Sequence, residues 1–326
     1  MRAALYTRTG KARDVLEVRE HDVPAPGPGE VLVRVALSGV NPSDVKRREG
    51  RTPSRIDGFQ VPHMDGVGRI DAVGPGVPVD RLGQRVWLWM AALSSPWGTA
   101  AEWTVVPQEQ AVPLPDHVSD ELGACLGVPA MTAHQCLFPD GPVHGADVLV
   151  AGGAGAVGHF AIELAKWAGA RVSTTVSGPA KAELAARAGA DLVVDYRTRD
   201  AAAEIRAFSG GVDRVVEVAP AANWELNTAV CATGARIVVY SVDQPSLDLP
   251  LLSSLGALVT IRFLLVYGVS RGAAVEAARE VTAAAAAGAL TPLPVHSFSL
   301  ARIVEAHEAV EEGVTGKVLV DLRDRN

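Results

Sequence analysis

At 326 residues the chain is long enough for two domains with cores of their own. Its apolar content of 48% and mean hydropathy of +0.18 exclude a disordered chain. A net charge of −7, with no basic run longer than Lys46-Arg47-Arg48, argues against a nucleic-acid partner. The start, Met1-Arg-Ala-Ala-Leu-Tyr-Thr-Arg, has no apolar core of signal-peptide length, so a cytoplasmic location is expected. Residues 1 to about 120 offer short runs such as Val31-Leu-Val-Arg-Val-Ala, separated by turns such as Pro24-Ala-Pro-Gly-Pro-Gly. That pattern predicts a mostly-β, barrel-like domain. Trp87, Trp89 and Trp97 cluster here, either as core or as the lining of an apolar pocket.

From Gly123 the rhythm changes. Strands are expected near 147–151, 171–176, 191–195, 213–218, 235–240 and 258–265. Helices are expected near 156–169, 179–188, 199–208, 221–231 and 272–288. Six strands with intervening helices predict an α/β class, a Rossmann doubly wound parallel sheet. The most apolar window, Leu247 to Val269, is interrupted by Asp248, Pro250 and Arg262. It is too broken to span a membrane and reads as buried sheet and an interface. The last segment, Val295 to Leu322, reads as strand, helix and strand returning to the first domain. The expected organisation is therefore 1–122 with 292–326 as one domain and 123–291 as the other. Cys125, Cys136 and Cys231 have no metal-ligand spacing and read as buried small hydrophobes.

The first turn of the α/β set carries the chemistry. Val148-Leu-Val-Ala is followed by Gly152-Gly153-Ala154-Gly155-Ala156-Val157-Gly158 and then by a helical pattern. Gly153, Gly155 and Gly158 match the dinucleotide fingerprint: one glycine for a tight turn, one for backbone approach to the phosphates, one for helix–strand packing. The amides around Ala156 and Val157 then face the pyrophosphate. The alternative is an ordinary strand-to-helix turn. The next strand, Arg171 to Val176, ends without the Asp or Glu that would bond an NAD ribose. Its missing acid, the hydroxyl of Ser177 and the cation of Lys181 favour NADPH, although Lys181 alone reads equally well as a solvated lysine.

The chain resembles the medium-chain dehydrogenase/reductase superfamily, and within it the zinc-free quinone oxidoreductase (zeta-crystallin-like) branch. The resemblance rests on Gly39-Val-Asn41-Pro42-Ser-Asp44, His63-Met-Asp65-Gly66-Val-Gly68, Gly83-Gln-Arg85-Val86, Gly98-Thr-Ala-Ala-Glu102-Trp103 and Leu126-Gly-Val-Pro-Ala-Met-Thr132-Ala133. Val194-Asp-Tyr196-Arg197 and Gly316-Lys317-Val-Leu-Val extend it nearly end to end. The branch spacing small-x-x-Gly-x-x-Gly is met by Gly152, Gly155 and Gly158. The resemblance implies a GroES-like catalytic barrel beside the Rossmann domain. It also implies no catalytic zinc, because Asn41 and Met64 stand where zinc-dependent relatives carry Cys and His.

By the same resemblance, Asn41 lies near the nicotinamide ribose and the acceptor oxygen, where its amide would donate a hydrogen bond; as a residue before Pro42 it also reads as a turn Asn. Asp44 and Asp65 read as cap and turn residues. Thr132 falls near the nicotinamide, Lys181 and Tyr196 bracket the 2′-phosphate, and Ser241 with Phe263 to Leu265 flank the nicotinamide or form core strand. Lys46 departs from the tyrosine of many quinone-oxidoreductase-like proteins. It is either a proton donor, an attractor of anionic acceptors, or a solvated lysine. The implied activity is hydride or electron transfer from NADPH to a quinone or similar electron-poor small molecule. Enone, alkenal or enoyl-thioester double-bond reduction is the alternative, and a non-catalytic NADPH-binding role is a further one. No membrane partner is expected. The apolar 257–267 segment predicts an exposed sheet edge and a homodimer.

Overall fold

The computed structural model describes residues 1–52, 56–249 and 251–323. Residues 53–55, Pro250 in the apolar window and residues 324–326 lie outside the described residues. The chain divides into two compact units. Unit 1 comprises residues 1–128, 278–286 and 292–326; unit 2 comprises 129–277 and 287–291.

The strands in chain order are β1 (Arg2–Leu5), β2 (Glu17–Glu20), β3 (Glu30–Val40), β4 (Asp65–Val73), β5 (Arg85–Leu88), β6 (Trp103–Pro107) and β7 (Ala111–Pro113). They continue with β8 (Asp147–Ala151), β9 (Arg171–Val176), β10 (Leu192–Asp195), β11 (Val212–Glu217), β12 (Cys231–Val239), β13 (Thr260–Phe263), β14 (Val295–Ser299) and β15 (Lys317–Asp321). The helices are α1 (Ala12–Val15), α2 (Pro42–Glu49), α3 (Asp120–Gly123), α4 (Met131–Leu137), α5 (Ala156–Trp167), α6 (Pro179–Arg187), α7 (Ala201–Ser209), α8 (Pro220–Val230), α9 (Leu251–Ala257), α10 (Arg271–Ala286) and α11 (Ile303–Glu311).

Unit 1 is the GroES-like half. A seven-stranded sheet runs β14-β15-β3-β4-β5-β7, with β6 pairing β3, and β1 and β2 form a separate ribbon. The long β3 is buried along most of its length, Val31, Leu32, Val33 and Val35 included, with Arg34 exposed, as a strand covered on both faces is. One apolar cluster joins Val31, Val33, Ile70, Val86, Leu88 and Val106; another joins Tyr6, Val40, Val61, Ile303, Val318 and Val320. β14 and β15 extend the sheet beyond β3, so the last segment joins the sheet that the first 120 residues begin. Trp87 and Trp89 are core: both are buried, and their indole N–H groups donate to Thr282 Oγ1 and the Glu109 carbonyl. Trp97 is partly buried and packs edge-on against Phe59 and His21.

Unit 2 is a six-stranded parallel sheet in the order β10-β9-β8-β11-β12-β13, the doubly wound order with β8 as its first strand. Its central strands are apolar on both faces because helices cover both; Val148, Leu149 and Val150 are fully buried. Local chemistry sets the helix ends. Asp200 caps α7 by accepting from the Ala203 N–H at 3.0 Å, and Gly210 ends that helix at φ 74°.

One expectation fails here. The Leu247 to Val269 window is not continuous buried sheet. It holds the helix α9 and only a four-residue strand, β13. Leu251, Leu252, Leu255 and Leu258 are exposed, Leu252 at 85%. Leucine is a good helix former, and the β-branched residues that favour a strand begin only at Val259. None of the described helices is long and apolar enough to cross a membrane.

Candidate active site

Three glycines of the 152–158 turn have separable geometric jobs. Gly152 turns the chain at φ 71°, in the left-handed region that glycine adopts without strain. A Cβ on Gly158 would collide with the Gly152 carbonyl, so α5 packs on β8 only because that atom is missing. Gly155 is the N-cap of α5, and a Cβ there would meet only the Gly152 carbonyl, at 3.3 Å. Gly153 is constrained as tightly, since a Cβ there would run into the Thr174 side chain and Ile162. No side chain caps α5 and no acidic residue stands in its first turn. The first-turn amides, Ala156 and Val157 among them, have no intrahelical acceptor and suit an anion.

The residues expected at the 2′-phosphate lie at the carboxyl ends of neighbouring strands. β9 and β10 pair with Val176 opposite Asp195, which brings Ser177 and Tyr196 alongside each other. Lys181, on the first turns of α6, places Nζ 3.1 Å from Ser177 Oγ. Tyr196 is 54% exposed. A cation, a hydroxyl and a phenol thus share one edge, with no carboxylate at the end of β9 to repel a phosphate. Ser241 follows the end of β12, beside Phe263 and Leu265 at the end of β13, both of which are exposed. Thr132 is buried on α4.

In unit 1 the structure surrounds Asn41 with charge. Asn41 precedes α2, whose first residue is Pro42, and the Asp44 carboxylate accepts from the Asn41 backbone N–H at 2.9 Å, as a residue at the third helical position does in a capping box. The Asn41 Nδ2 donates to Asp65 Oδ1 at 2.8 Å and to Asp44 Oδ2 at 3.2 Å. Its Oδ1 accepts from Lys317 Nζ at 2.6 Å, and that ammonium lies 3.5 Å from Asp65 Oδ2. Asp65 also accepts from the Val128 N–H at 3.1 Å. All four side chains are at most 3% exposed. Burial, and then the neighbouring Asp65 charge, push the Asp44 carboxyl up to about 7. Burial raises Asp65 as well, and the Lys317 ammonium pulls it back. Gly39 and Gly127 make the space, since a Cβ on either would run into the Asp65 side chain.

A second buried chain runs beside this cluster. Thr99 Oγ1 donates to the Asp65 carbonyl at 2.6 Å. Its one hydrogen is then used, so Ser38 must donate to Thr99 (2.7 Å), and His63 Nδ1–H must donate to Ser38 (2.7 Å). That leaves His63 Nε2 to accept from His307 Nε2–H at 3.0 Å. Burial lowers both histidines; His307, helped by the nearby Arg48 charge, falls to about 3. His63 sits at φ 77°, a strained value for a residue with a Cβ, held by these bonds.

Of the expected residues, the structure unites Gly152, Gly155, Ala156, Val157 and Gly158 in one turn and Ser177, Lys181 and Tyr196 in one corner. It ties Asn41 to Asp44 and Asp65, which read in sequence as separate cap and turn residues. Lys46, on α2, is partly buried, and its ammonium has no hydrogen-bond or ion-pair partner among the described residues. Sequence reasoning missed Lys317 and the Ser38–Thr99–His63–His307 chain, although Lys317 stands inside the Gly316-Lys317-Val-Leu-Val motif.

The alcohol dehydrogenase GroES-like domain family matches residues 27–116, and the zinc-binding dehydrogenase family matches residues 156–287. A mycobacterial protein solved in complex with NADPH is 30% identical, with a TM-score of 0.85, covering 98% of this chain and 100% of that one. The chain belongs to the medium-chain dehydrogenase/reductase superfamily, in its quinone-oxidoreductase branch. A Pseudomonas syringae quinone oxidoreductase matches at 25% identity and a TM-score of 0.85, covering 98% and 99% of the two chains. Among curated proteins, a component of the phenolphthiocerol/phthiocerol polyketide synthase of Mycobacterium tuberculosis is 31% identical over 320 residues, 95% of this chain but 14% of that protein. A trans-enoyl reductase of Aspergillus terreus is 36% identical over 190 residues, 55% of this chain and 52% of that protein. The chain thus spans at most about half the length of these curated relatives.

The donors at the zinc positions of this family do not fit a metal. Asn41 is committed to Lys317 and two carboxylates, Met64 is a buried thioether, and both nitrogens of the adjacent His63 are held by Ser38 and His307.

Proposed function

We propose that this chain is an NADPH-dependent, zinc-independent reductase of quinones or similar electron-poor small molecules. The observation that carries the reading is the Ser177, Lys181 and Tyr196 corner beside an uncapped glycine turn, which provides a cation and hydroxyls where an NAD-preferring chain would place an acid. Bound NADPH supplies the hydride. The chain's part is to hold it: the turn amides take the pyrophosphate, the corner takes the 2′-phosphate, and Thr132, Ser241, Phe263 and Leu265 set the nicotinamide end. An electron-poor acceptor delocalises the incoming charge onto its own oxygen, so positioning and water exclusion suffice without a Lewis acid.

Reduction of an activated double bond is the second reading, favoured by the likeness to a trans-enoyl reductase and by the unpartnered ammonium of Lys46. That reaction needs a proton as well as a hydride, and Lys46 would deliver it. The exposed leucines of α9, with Phe263 and Leu265, support a homodimer built on this sheet edge. A cytoplasmic location fits the same reading.

The test is oxidation of NADPH and NADH against a panel of quinones, enones and alkenals. Rapid NADPH use with quinones and little with NADH is the expected result. Equal use of the two cofactors would sink the 2′-phosphate reading, and activity confined to enones or alkenals would replace quinone reduction by the second reading. A monomer in sedimentation at micromolar concentration would remove the dimer.

A further inference from the structure

Three strand ends converge on Asn41. Gly39 on β3 pairs with Asp65 on β4, and on the other side Val40 pairs with Val318 on β15. Continuing that antiparallel register by one residue sets Lys317 directly across from Asn41, although 276 residues separate them. The chemistry around the carboxamide is one-sided. Its oxygen faces an ammonium, which only donates, and its nitrogen faces two carboxylates, which when ionised only accept. Turning the amide over would set N–H groups against the ammonium and the oxygen against two carboxylates. A single orientation is therefore allowed. In it both Nδ2 hydrogens are used, and the capacity left is the second lone pair of Oδ1.

We propose that Lys317 is the positioning residue for Asn41, locking its carboxamide as a hydrogen-bond acceptor that takes a ligand hydroxyl rather than donating to the acceptor oxygen. This rests on the reading that Asn41 contacts a ligand. It reverses the hydrogen-bond sense that the family resemblance implied for that residue, and it gives the Gly316-Lys317 motif a function.

Lys317→Met alone leaves two buried carboxylates without their cation and risks unfolding, so the decisive variant is Lys317→Met with Asp65→Asn, which removes the ion pair as a unit and frees the amide. Turnover per folded molecule, with folding followed by circular dichroism, is compared with wild type and with Asn41→Ala. The expected result is a folded double variant whose kcat/KM for NADPH falls about 10- to 100-fold, as displacement of a positioning group does, with an increased primary isotope effect from NADPH deuterated at the transferred position and an unchanged KM for the acceptor. Wild-type kcat/KM and isotope effect in the folded double variant, with Asn41→Ala impaired, would overturn the role of Lys317 while leaving that of Asn41 intact. Unimpaired Asn41→Ala would overturn the reading of Asn41 and this inference with it.

Discussion

The two polar clusters of the molecule are built on opposite plans. Around Asn41, Asp65 and Lys317, three strand ends enclose charges that are at most 3% exposed, and each strong donor or acceptor of the Asn41 carboxamide faces a partner of the opposite kind. At the ends of β9 and β10, Ser177, Lys181 and Tyr196 form a corner with a phenol more than half exposed and a cation held by a single hydroxyl. The first cluster spends all of its Asn41 carboxamide's hydrogen-bonding capacity but one lone pair on its own side chains and so fixes a geometry. The second keeps its capacity for a ligand. A site that binds by charge is open, whereas a site that sets an orientation is closed, because a buried polar group left half-paired costs more than it contributes.

Breaking the closed cluster has the largest expected effect. Lys317→Met leaves Asp44 and Asp65 buried without a cation and should lower unfolding free energy by about 3–5 kcal/mol, read by urea denaturation. A loss under about 1 kcal/mol would show that the cluster is not closed. Next comes Lys46→Ala, which should cut turnover on enones about 100-fold while leaving NADPH affinity unchanged in a fluorescence titration. Unaltered turnover would make Lys46 a surface lysine.

The buried histidines should make the closed region acid-labile. The unfolded chain binds a proton at each below about pH 6.5, whereas folded His307 resists protonation down to about 3. The stability that this neutral imidazole contributes is present above pH 6.5 and is lost as pH falls through that window, about 2 kcal/mol of it by pH 5. His307→Gln, which keeps an N–H for His63 Nε2, should flatten that slope in urea melts between pH 5 and 7, and an unchanged slope would assign the acid sensitivity elsewhere. The smallest effect belongs to the open corner. Lys181→Ala should weaken NADPH binding about 10-fold, the worth of one charge-assisted hydrogen bond, and leave NADH binding as it was. Equal weakening of both cofactors would mean that Lys181 does not see the 2′-phosphate.

The open corner was legible in the sequence because it is local. Strand, glycine turn and helix lie within residues 147–167, and Ser177 and Lys181 are four residues apart on the same strand-to-helix junction. Tyr196 needed only the pairing of neighbouring parallel strands. The α9 leucines were misread for a local reason too: an apolar run does not declare its period when it is short, so helix and buried strand compete. Asp44 is the cap residue its position suggests, whereas Asp65, read as a turn residue, opens β4, and their joint hold on one carboxamide needed β3, α2 and β4 in register.

By itself the sequence determined the class of fold, the strand–helix alternation of the α/β half and its glycine turn, since these follow from periodicity and from the few residues that tolerate left-handed backbone or close approach. Only the tertiary structure decided that Lys317 stands opposite Asn41, that His63 meets His307, and that the leucines of α9 face outward. Each of these joins residues far apart in the chain, or chooses which face of an element is buried. Strand register and packing settle such choices, and no local pattern encodes them.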